Sequence, residues 1–405
     1  MAGVCGVSVA SEGPDVANIE EEVFGWTKGY LMDRRLVSYR REIDGETSDE
    51  VILEWFRMSE ITIGPKAAGQ EGAGARRLLY TWKDLFASNV DIMPPTDLIE
   101  HSIPTWPDAV PARSKAAIHT LREKQWMEEN IPKMISSGIL DYSVSPWAHR
   151  TKFTPKKNGG LRMVHVYCPI KAATINNSYP MRRIEPILNN LTQDRYQVYF
   201  QADAANGFWA VPLYTPHTYR TAFATPMGQF YYLRMGQGLS RAPQTYTRLE
   251  DFFRGPIPEP NPEPSLDAAT DGAFECFVDD DFGAHDTFLS QFNFLHRWYF
   301  PRLSWAHLTL NGSKTGFFLE KVELLGFRCE GKGLRASVDK VRAIRDYPTP
   351  TSLAEVEAFL YLTTFLRCFI PGRVEHARIL KDAAIYADVE DVNPAPAPRT
   401  KRKVQ

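Results

Sequence analysis

The sequence predicts an α+β fold, on three observations. From about residue 150 onward, short runs typical of β-strands alternate with longer stretches in which apolar residues recur at helical spacing. The turns between the strand-like runs are short, which favours antiparallel pairing. At 405 residues the chain is too long for one hydrophobic core, so we expect about two to four compact units.

The composition indicates a globular protein in which any basic binding site is confined to one region. Hydrophobic residues make up 43% of the chain and aromatic residues 12%, which is enough to build cores. The formal net charge of -2 excludes a polybasic surface over the whole protein. A site for a polyanion must therefore be confined to one region.

The cysteines predict reduced thiols. There are five, an odd number, and none forms a C-x-x-C pair, which disfavours a disulfide framework or a zinc site. No N-terminal signal pattern is visible, and the most apolar helix-like run, EAFLYLTTFLRCFI, is short and contains Arg367. We therefore expect an intracellular protein that is neither secreted nor inserted in a membrane.

Three segments have the composition of linkers or loops. Residues 1–90 are poorly patterned, and we predict an N-terminal segment or linker in which flexible stretches flank a little structure. Residues 254–273 are rich in proline and acid and should form an exposed loop. Residues 386–405 end in PAPAPRTKRKVQ, which predicts a disordered basic tail, typical either of a nuclear-import signal or of a solvated terminus.

Two helices have clear sequence signals. The stretch from 113 to 140 predicts an amphipathic helix, broken at Pro132 and stopped by Gly138, with its apolar positions at Ile118, Leu121, Ile131, Met134 and Ile135. Near the C-terminus, Ser352 and Glu355 stand in the spacing of a capping box, and Pro371 follows as a terminator.

Three adjacent aspartates follow an apolar run in FECFVDDDFGAHD, which starts at residue 274. Alternation of Phe274, Cys276 and Val278 predicts a strand that ends at Asp279. An Asp-rich turn is one interpretation. A calcium loop fits poorly, because the D-x-D-x-D-G spacing is missing. The third interpretation is a site for a hard cation, which relieves the repulsion between close carboxylates; Asp203, at the end of another strand, offers a further oxygen ligand.

With Asp203 on one strand and Asp279 and Asp280 on a hairpin, residues 91–385 resemble the reverse transcriptase of Gypsy-class long-terminal-repeat retrotransposons. The resemblance is carried by eight motifs in order: SPWAHRTKFTPKKNGGLR, SYPMRRIEPIL, DAANGFWAV, MGQGLSRAP, FVDD, LTLNGSKTGFF, VELLGF and KVRAIRDYPTPTSLAEVEAFLYLTTFLRCFI. It implies a right-hand polymerase fold with fingers, palm (an antiparallel sheet with helices) and a partial thumb. The implied divisions are an N-terminal connection and fingers over 91–200, palm over 201–335 and thumb helices over 336–385.

The resemblance implies an RNA-directed and DNA-directed DNA polymerase that extends a primer 3′-hydroxyl with dNTPs, using two Mg²⁺ ions, with Mn²⁺ as a substitute. Asp203 and Asp279 match the metal ligands, and the Ala204 carbonyl completes the set. Asp280 matches the supporting second acid. Asp281 lies one position beyond this pair, and we expect it to be solvated. Lys314 matches a lysine near the leaving pyrophosphate that acts as a general acid; a surface lysine is the alternative.

The same resemblance implies nucleotide contacts. Phe208 matches the aromatic residue that excludes a 2′-hydroxyl, whereas the residues alone indicate a core aromatic. Gln237 and Gly238 match the loop over the incoming nucleotide, in a motif that by itself is only a turn. The residues that match triphosphate contacts lie on a predicted β-hairpin and are Lys156, Lys157 and Arg162. The alternative is a solvated hairpin that binds no nucleotide.

From residue 150 to 183 the chain has eight basic residues and no acid, which indicates a polyanion site. The positions we assign to nucleic-acid binding are Lys152, Arg182 and Arg183, with Leu325 and Gly326 in the LLGF turn that matches the primer grip. The expected partners are an RNA template, a DNA primer or duplex, and dNTPs. Polyprotein neighbours such as a protease, ribonuclease H or integrase are expected outside this chain, which has no D-[ST]-G motif or zinc knuckle.

One motif departs from the family. Where V-D-Y-R-x-L-N is usual, this chain has HVYCPIK, so Val166 replaces the acid, Cys168 the arginine and Lys171 the asparagine. Loss of both partners of a buried ion pair is less damaging than loss of one.

Two hypotheses for the function follow: an active enzyme, or a decayed or repurposed copy that binds nucleic acid without polymerising. A metal-dependent nuclease is a third, although it would not need Phe208 or the MGQG loop. The compartment would be cytoplasmic, within a particle, or nuclear.

Overall fold

The computed structural model describes residues 36–86, 94–114, 117–156, 159–176, 179–205, 207–255 and 272–392, with the ends 36–37 and 386–392 described by backbone alone. The α-helices in these ranges are α1 (Asp49–Ser59), α2 (Gly69–Thr81), α3 (Leu121–Ser136), α4 (Cys168–Ala173), α5 (Ile184–Leu191), α6 (Ala242–Arg254), α7 (Phe288–Phe294), α8 (Phe300–Ala306), α9 (Val338–Arg345), α10 (Leu353–Thr364) and α11 (Arg373–Val392).

The strands in the same ranges are β1 (Thr62–Ile63), β2 (Leu140–Tyr142), β3 (Arg150–Pro155), β4 (Leu161–Val166), β5 (Val198–Asp203), β6 (Phe223–Thr225), β7 (Gly228–Tyr232), β8 (Gly272–Phe277), β9 (Asp280–His285), β10 (Gly316–Leu319), β11 (Lys321–Leu324), β12 (Phe327–Glu330) and β13 (Gly333–Ala336). Short 3₁₀ segments include Gly207–Ala210 and Gly312–Lys314, and a π-helical turn, Leu295–Tyr299, joins α7 to α8. The alternation of strands and helices is the α+β pattern that the sequence predicts.

The described residues divide into two compact units, one up to Lys321 and one from Val322 onward. Strands β11 to β13 therefore lie almost entirely in the second unit, whereas sequence analysis placed the palm boundary at residue 335. No helix in the described ranges is long and apolar enough to cross a membrane. The thiols of Cys168, Cys276, Cys329 and Cys368 are free.

The first unit is built on a five-stranded sheet with the order β1-β10-β5-β9-β8. Strand β5 lies at its centre and pairs antiparallel with β9 and β10, and β8 and β9 form a hairpin. The apolar face of the sheet is filled by aromatic rings such as Phe200, Phe294 and Tyr299, all fully buried. Gly283 of β9 is required here, because a Cβ at this position would lie 2.0 Å from the Phe200 ring. The aromatic core thus holds the central strands rigidly where they end at the site.

Within the predicted N-terminal segment or linker, residues 36–86 have more structure than their weak sequence pattern indicates. Helices α1 and α2 pack against each other, and Leu78, Leu79 and Trp82 are completely buried. Strand β1 joins the central sheet by pairing in parallel with β10. The sequence signal is weak because α2 contains three glycines, which lower helix propensity, and its apolar positions are buried by distant parts of the chain.

A second sheet, β2-β7-β6, and the separate hairpin β3-β4 complete the first unit with α3. Helix α3 begins at Leu121, where Thr120 and Glu123 form a reciprocal capping box, so Ile118 and Leu121 are exposed and do not contribute to the predicted apolar face. The predicted break at Pro132 does not occur, because the helix continues to Ser136. Gly138, with a φ of 63°, follows the helix as predicted.

The second unit contains the sheet β11-β12-β13 and helices α9 to α11. Its apolar contacts include Phe327, whose ring lies 4.8 Å from that of Phe365. Ser352 caps α10 as predicted, but the helix ends at Thr364, before Pro371. Helix α11 extends to Val392, beyond the predicted start of the tail at residue 386, and the rest of the tail lies outside the described residues.

Candidate active site

Backbone pairing brings the predicted carboxylates together. Asp203 ends β5, and its Cα partner across the β5-β9 ladder is Asp280, the first residue of β9. Asp279 lies in the hairpin turn directly before it, after Val278, whose φ is 59°. The Ala204 amide donates a hydrogen bond of 2.9 Å to the Asp279 carbonyl, which fixes the turn against the end of β5. Three acidic side chains therefore converge at one end of the central sheet.

Lys314 lies directly on this cluster. Its ammonium group is 3.0 and 2.9 Å from the two carboxylate oxygens of Asp203. It is presented by the 3₁₀ segment Gly312–Lys314, which is tied to the strand end because the Asn311 amide donates to the Asp203 carbonyl at 2.8 Å. The lysine side chain is 61% exposed and that of Asp203 is 16% exposed. The structure thus places Lys314 beside the acid cluster, and its predicted role as a general acid stays a prediction.

The electrostatics of the cluster favour a cation. Burial, followed by the charges of Asp279 and Asp203, raises the pKa of Asp280 to about 7. Burial and the charge of Asp203 also raise the pKa of Asp279, which the charges of Lys314 and Arg162 oppose. Crowded carboxylates that resist ionisation gain most from a nearby positive charge. The oxygens of Asp203, Asp279 and the Ala204 carbonyl therefore fit a hard divalent ion such as Mg²⁺.

The expectation that Asp281 is solvated is wrong. Its side chain is buried and accepts a hydrogen bond of 2.7 Å from the Tyr299 hydroxyl. Successive side chains of a strand point to opposite faces, so if Asp280 faces the cluster, Asp281 faces the interior. Phe282 and Gly283, which follow Asp281 in the sequence, gave no indication that this acid would be buried.

Phe208 stands beside the acids because Gly207 lets the chain pass close to the hairpin. A Cβ on Gly207 would lie 3.1 Å from the Cβ of Asp279 and 3.4 Å from the Tyr246 ring. Phe208 is half-buried, and its ring meets that of Tyr246 edge-on, with centroids 5.9 Å apart. Sequence reasoning missed Tyr246, a fully buried residue of α6 that no local pattern distinguishes from a core aromatic.

Three of the predicted nucleotide contacts line one cavity. In the β3-β4 hairpin Arg162 pairs with Thr154, and both Arg162 and Lys156 are exposed. These two side chains, together with Gln237, line a cavity of about 440 Å³. Sequence reasoning missed most of its other lining residues, which include Trp126, Asn130, Lys133, His165, Trp209 and Tyr232. Gly238 follows Gln237 with a φ of 86°, and Lys157 lies outside the described residues.

The residues assigned to nucleic-acid binding differ in their environment. Lys152 and Arg183 are exposed, as the assignment requires. Arg182 instead forms ion pairs with Asp251 and Glu275, so acids distant in sequence offset its charge. Leu325 and Gly326 form the β11-β12 turn of the second unit, with φ values of 50° and 84°.

The departing motif HVYCPIK spans the end of β4 and the start of α4. Val166 is half-buried and stands opposite Arg150 in the β3-β4 ladder. Cys168 and Lys171 are both exposed. None of the three is therefore left as an unpaired buried charge.

The similarity of this chain to known proteins covers the residues that form this site. Residues 154–329 match the family described as reverse transcriptase (RNA-dependent DNA polymerase). Over 341 residues the chain is 28% identical to the retrovirus-related Pol polyprotein from transposon 297 of Drosophila melanogaster, which covers 83% of this chain and 30% of the relative. The chain is also 25% identical over 319 residues to the retrovirus-related Pol polyprotein from transposon gypsy of the same species. This alignment covers 74% of this chain and 28% of that relative. The chain thus spans less than a third of the length of these curated relatives.

Among solved structures, the chain is similar to the foamy viral protease-reverse transcriptase in complex with an RNA/DNA hybrid. The TM-score is 0.64 at 21% identity, over 81% of this chain and 41% of that chain. This likeness confirms the predicted fold class, a right-hand polymerase fold.

Proposed function

We propose that this chain, whose residues 154–329 match the reverse transcriptase family, is an RNA-directed and DNA-directed DNA polymerase from a Gypsy-type retrotransposon. It would extend a primer 3′-hydroxyl with dNTPs. The observation that carries this proposal is the convergence of Asp203, Asp279 and Asp280 at the end of β5 and the β8-β9 hairpin, with the Lys314 ammonium on the Asp203 carboxylate.

Asp203, Asp279 and the Ala204 carbonyl are the groups that would hold two Mg²⁺ ions, or Mn²⁺. When bound, such ions stabilise the attacking and leaving oxygens of a phosphoryl transfer. Asp280, adjacent to these ligands, adds negative charge to the site.

The remaining site residues bind and orient the nucleotide. Arg162 and Lys156 line the cavity as cations that match the charge of a triphosphate, and Arg162 adds a fork of hydrogen-bond donors. Gln237, on the same cavity, can hydrogen-bond the sugar or base. Phe208 presents a ring where a deoxyribose fits and a 2′-hydroxyl does not. Lys157, which lies outside the described residues, would add a further cation to the triphosphate contacts. Lys314 would donate a proton to the leaving pyrophosphate.

We assign template and primer contacts to exposed basic and turn residues. Lys152 and Arg183 would contact backbone phosphates, and Leu325 and Gly326 the primer strand. The assignment of 91–200 to fingers, 201–335 to palm and 336–385 to thumb also remains a proposal. A foamy viral relative of this fold is known in complex with an RNA/DNA hybrid, which supports an RNA template and a DNA primer as partners. Protease, ribonuclease H and integrase neighbours would lie outside this chain, and the free thiols support an intracellular setting.

Primer extension tests the proposal. The purified chain is given a primed RNA template, dNTPs and Mg²⁺ or Mn²⁺, beside Asp279→Asn and the matched control Asp194→Asn, which changes an exposed acid. We expect metal-dependent extension by the wild type and the control, and none by Asp279→Asn. Extension that persists in Asp279→Asn would refute the assignment of the acids.

A second candidate function is favoured by Val166, Cys168 and Lys171, which replace residues usual in the family. It is a decayed copy that binds nucleic acid without polymerising. Primer-template binding by a wild-type chain that extends no primer in either metal would support this candidate and overturn the first.

A further inference from the structure

A buried cluster lies in the interior beside the catalytic hairpin. It consists of Glu250 on α6, Cys276 on β8 and Asp281 on β9. One carboxylate oxygen from each acid and the Cys276 sulfur lie within 4.8 Å of one another. The residues are 4%, 0% and 8% exposed, so all three potential ligands are shielded from water. Acidic side chains so deeply buried require a compensating partner.

Two polar atoms at this cluster have no hydrogen-bond partner among the described residues. One is the Oε2 atom of Glu250 itself. The other is the hydroxyl of Tyr246, a side chain with no exposed surface. Tyr246 and Glu250 are four residues apart on α6, so their side chains lie on the same face of the helix. Buried polar groups are normally satisfied, so two unsatisfied oxygens on one buried helix face point to a ligand between them.

We propose that Glu250, Cys276 and Asp281 form a binding site for a Zn²⁺-like divalent ion, distinct from the catalytic site. A thiolate with two carboxylates suits zinc better than Mg²⁺, which takes oxygen ligands. A tetrahedral ion bound at about 2.0–2.3 Å holds its ligand atoms about 3.4–3.8 Å apart, so binding would draw together atoms that now lie within 4.8 Å of one another. A water molecule within reach of the Tyr246 hydroxyl would complete the coordination.

The surroundings fit this ion. The Tyr299 hydroxyl donates to Asp281 at 2.7 Å and orients it, as outer partners of metal ligands do. The guanidiniums of Arg182 and Arg254 reach the cluster electrostatically, but both also contact Glu275, at 3.8 and 3.0 Å. Their charge is therefore shared, and a divalent ion supplies the charge that two buried carboxylates and a thiolate need.

The position of this site has a structural consequence. Its ligands come from α6 and from both strands of the hairpin that carries Asp279 and Asp280, so the ion would hold the hairpin to α6. Tyr246 connects the cluster to Phe208 through an edge-on ring contact. The sequence did not reveal the site, because its single cysteine and two acids are contributed by three separate elements, without the C-x-x-C spacing of common zinc motifs.

Metal analysis of the full chain tests the proposal. The chain is produced with zinc, freed of loosely bound metal by gel filtration, and its zinc content is measured by mass spectrometry. We expect about one zinc ion per chain in the wild type, with affinity reduced about 10- to 100-fold or more in Cys276→Ser. Cys329→Ser is the matched control, since Cys329 is equally buried in the second unit, and should retain the ion. Asp279→Asn should also retain it, which separates this site from the catalytic one.

Cobalt substitution gives a second, spectroscopic readout. Co²⁺ bound by a thiolate has a sulfur-to-metal charge-transfer absorption, so the band should appear in the wild type and in Cys329→Ser and should be lost in Cys276→Ser. If Cys276→Ser fails to fold, as judged by circular dichroism, Glu250→Gln replaces it in the comparison. Wild-type chain that retains no zinc and shows no thiolate-cobalt band would overturn the proposal. Zinc retained in full by folded Cys276→Ser would also overturn it.

Discussion

The ammonium group of Lys314 lies 3.0 and 2.9 Å from the two carboxylate oxygens of Asp203, although 111 residues separate them. This lysine therefore occupies the face of Asp203 that a cation would use, and it neutralises part of the charge of the acid cluster. A metal ion that binds Asp203 has to compete with it. Lys314 thus links metal binding to the proton donor proposed for the leaving group.

Replacing Lys314 by Ala should separate these two effects. We expect extension at saturating metal to slow by about 10²- to 10⁴-fold, the usual contribution of a general acid. The Mg²⁺ concentration needed for half-maximal rate should fall, because the competing ammonium is gone. Mg²⁺ titrations of single-nucleotide incorporation measure both. Lys321→Ala, at an exposed lysine, is the control, and an unchanged rate in Lys314→Ala would reject the role in proton donation.

Phe208→Ala should weaken discrimination against ribonucleotides. The ring is held edge-on against Tyr246, with centroids 5.9 Å apart, so the space it fills is well defined and its removal makes room for a 2′-hydroxyl. We expect the ratio of kcat/KM for dNTP over rNTP to fall by roughly 10- to 200-fold. Steady-state incorporation of each nucleotide measures it. Phe208→Tyr keeps the ring and should keep the ratio; a ratio unaffected by the alanine would exclude Phe208 from sugar selection.

Arg182 and Arg183 are neighbours in sequence but should respond differently to replacement. Arg182→Ala leaves the carboxylates of Asp251 and buried Glu275 without one partner, so we expect the free energy of unfolding to fall by about 1–3 kcal/mol. Arg183→Ala should leave stability unchanged and weaken duplex binding, with a smaller salt dependence. Urea unfolding and binding titrations at several salt concentrations test the pair. Equal loss of affinity without loss of stability in Arg182→Ala would contradict its structural role.

His165 should make the protein less stable in acid. Burial, then the charge of His149, lowers its pKa from 6.5 to about 3 in the folded chain. Below pH 6.5 the unfolded chain therefore binds a proton that the folded chain rejects, and stability falls from pH 6.5 down to about 3. From pH 6.5 to 5 the loss attributable to this group is at most about 2 kcal/mol.

Urea unfolding of His165→Gln at pH 7 and pH 5 measures this contribution, since glutamine does not titrate. The difference in unfolding free energy between the two pH values should shrink relative to the wild type. His376→Gln, at an exposed histidine, serves as the control and should not shrink it. An identical pH dependence in His165→Gln and wild type would show that this group is not the source.

Restoring the family residues at the departing motif tests whether their loss limits activity. Asp at position 166 would stand opposite Arg150 in the β3-β4 ladder, and Arg at 168 would be exposed at the start of α4. Each new surface ion pair contributes about 0.2–1 kcal/mol, so we expect Val166→Asp with Cys168→Arg to lower the KM for dNTP by up to about fivefold. Pre-steady-state incorporation measures it. No gain in the double variant, when each single variant folds, would show that the hairpin is already rigid.

Much of the fold could be read from local patterns. The strand-like runs correspond to β3 to β8 and β11 to β13, and Ser352 caps its helix as predicted. Strand β9 was not predicted, because a turn was expected to follow Asp279. The N-terminal helices were missed because α2 carries glycines and buries its apolar residues only against distant elements. Pro132 was expected to break α3, yet the helix continues past it, since tertiary packing outweighs the local preference.

The chemistry of the site could be inferred from the sequence: which strands end in carboxylates, that the acids are paired, and that basic residues gather between 150 and 183. Which side chains meet is visible in the folded chain alone. The inward direction of Asp281, the ion pairs of Arg182, the hydroxyl of Tyr246 beside Glu250 and the contact of Lys314 with Asp203 all join residues far apart in the chain. Strand pairing and core packing bring such residues together, and a local sequence pattern carries no record of those distances.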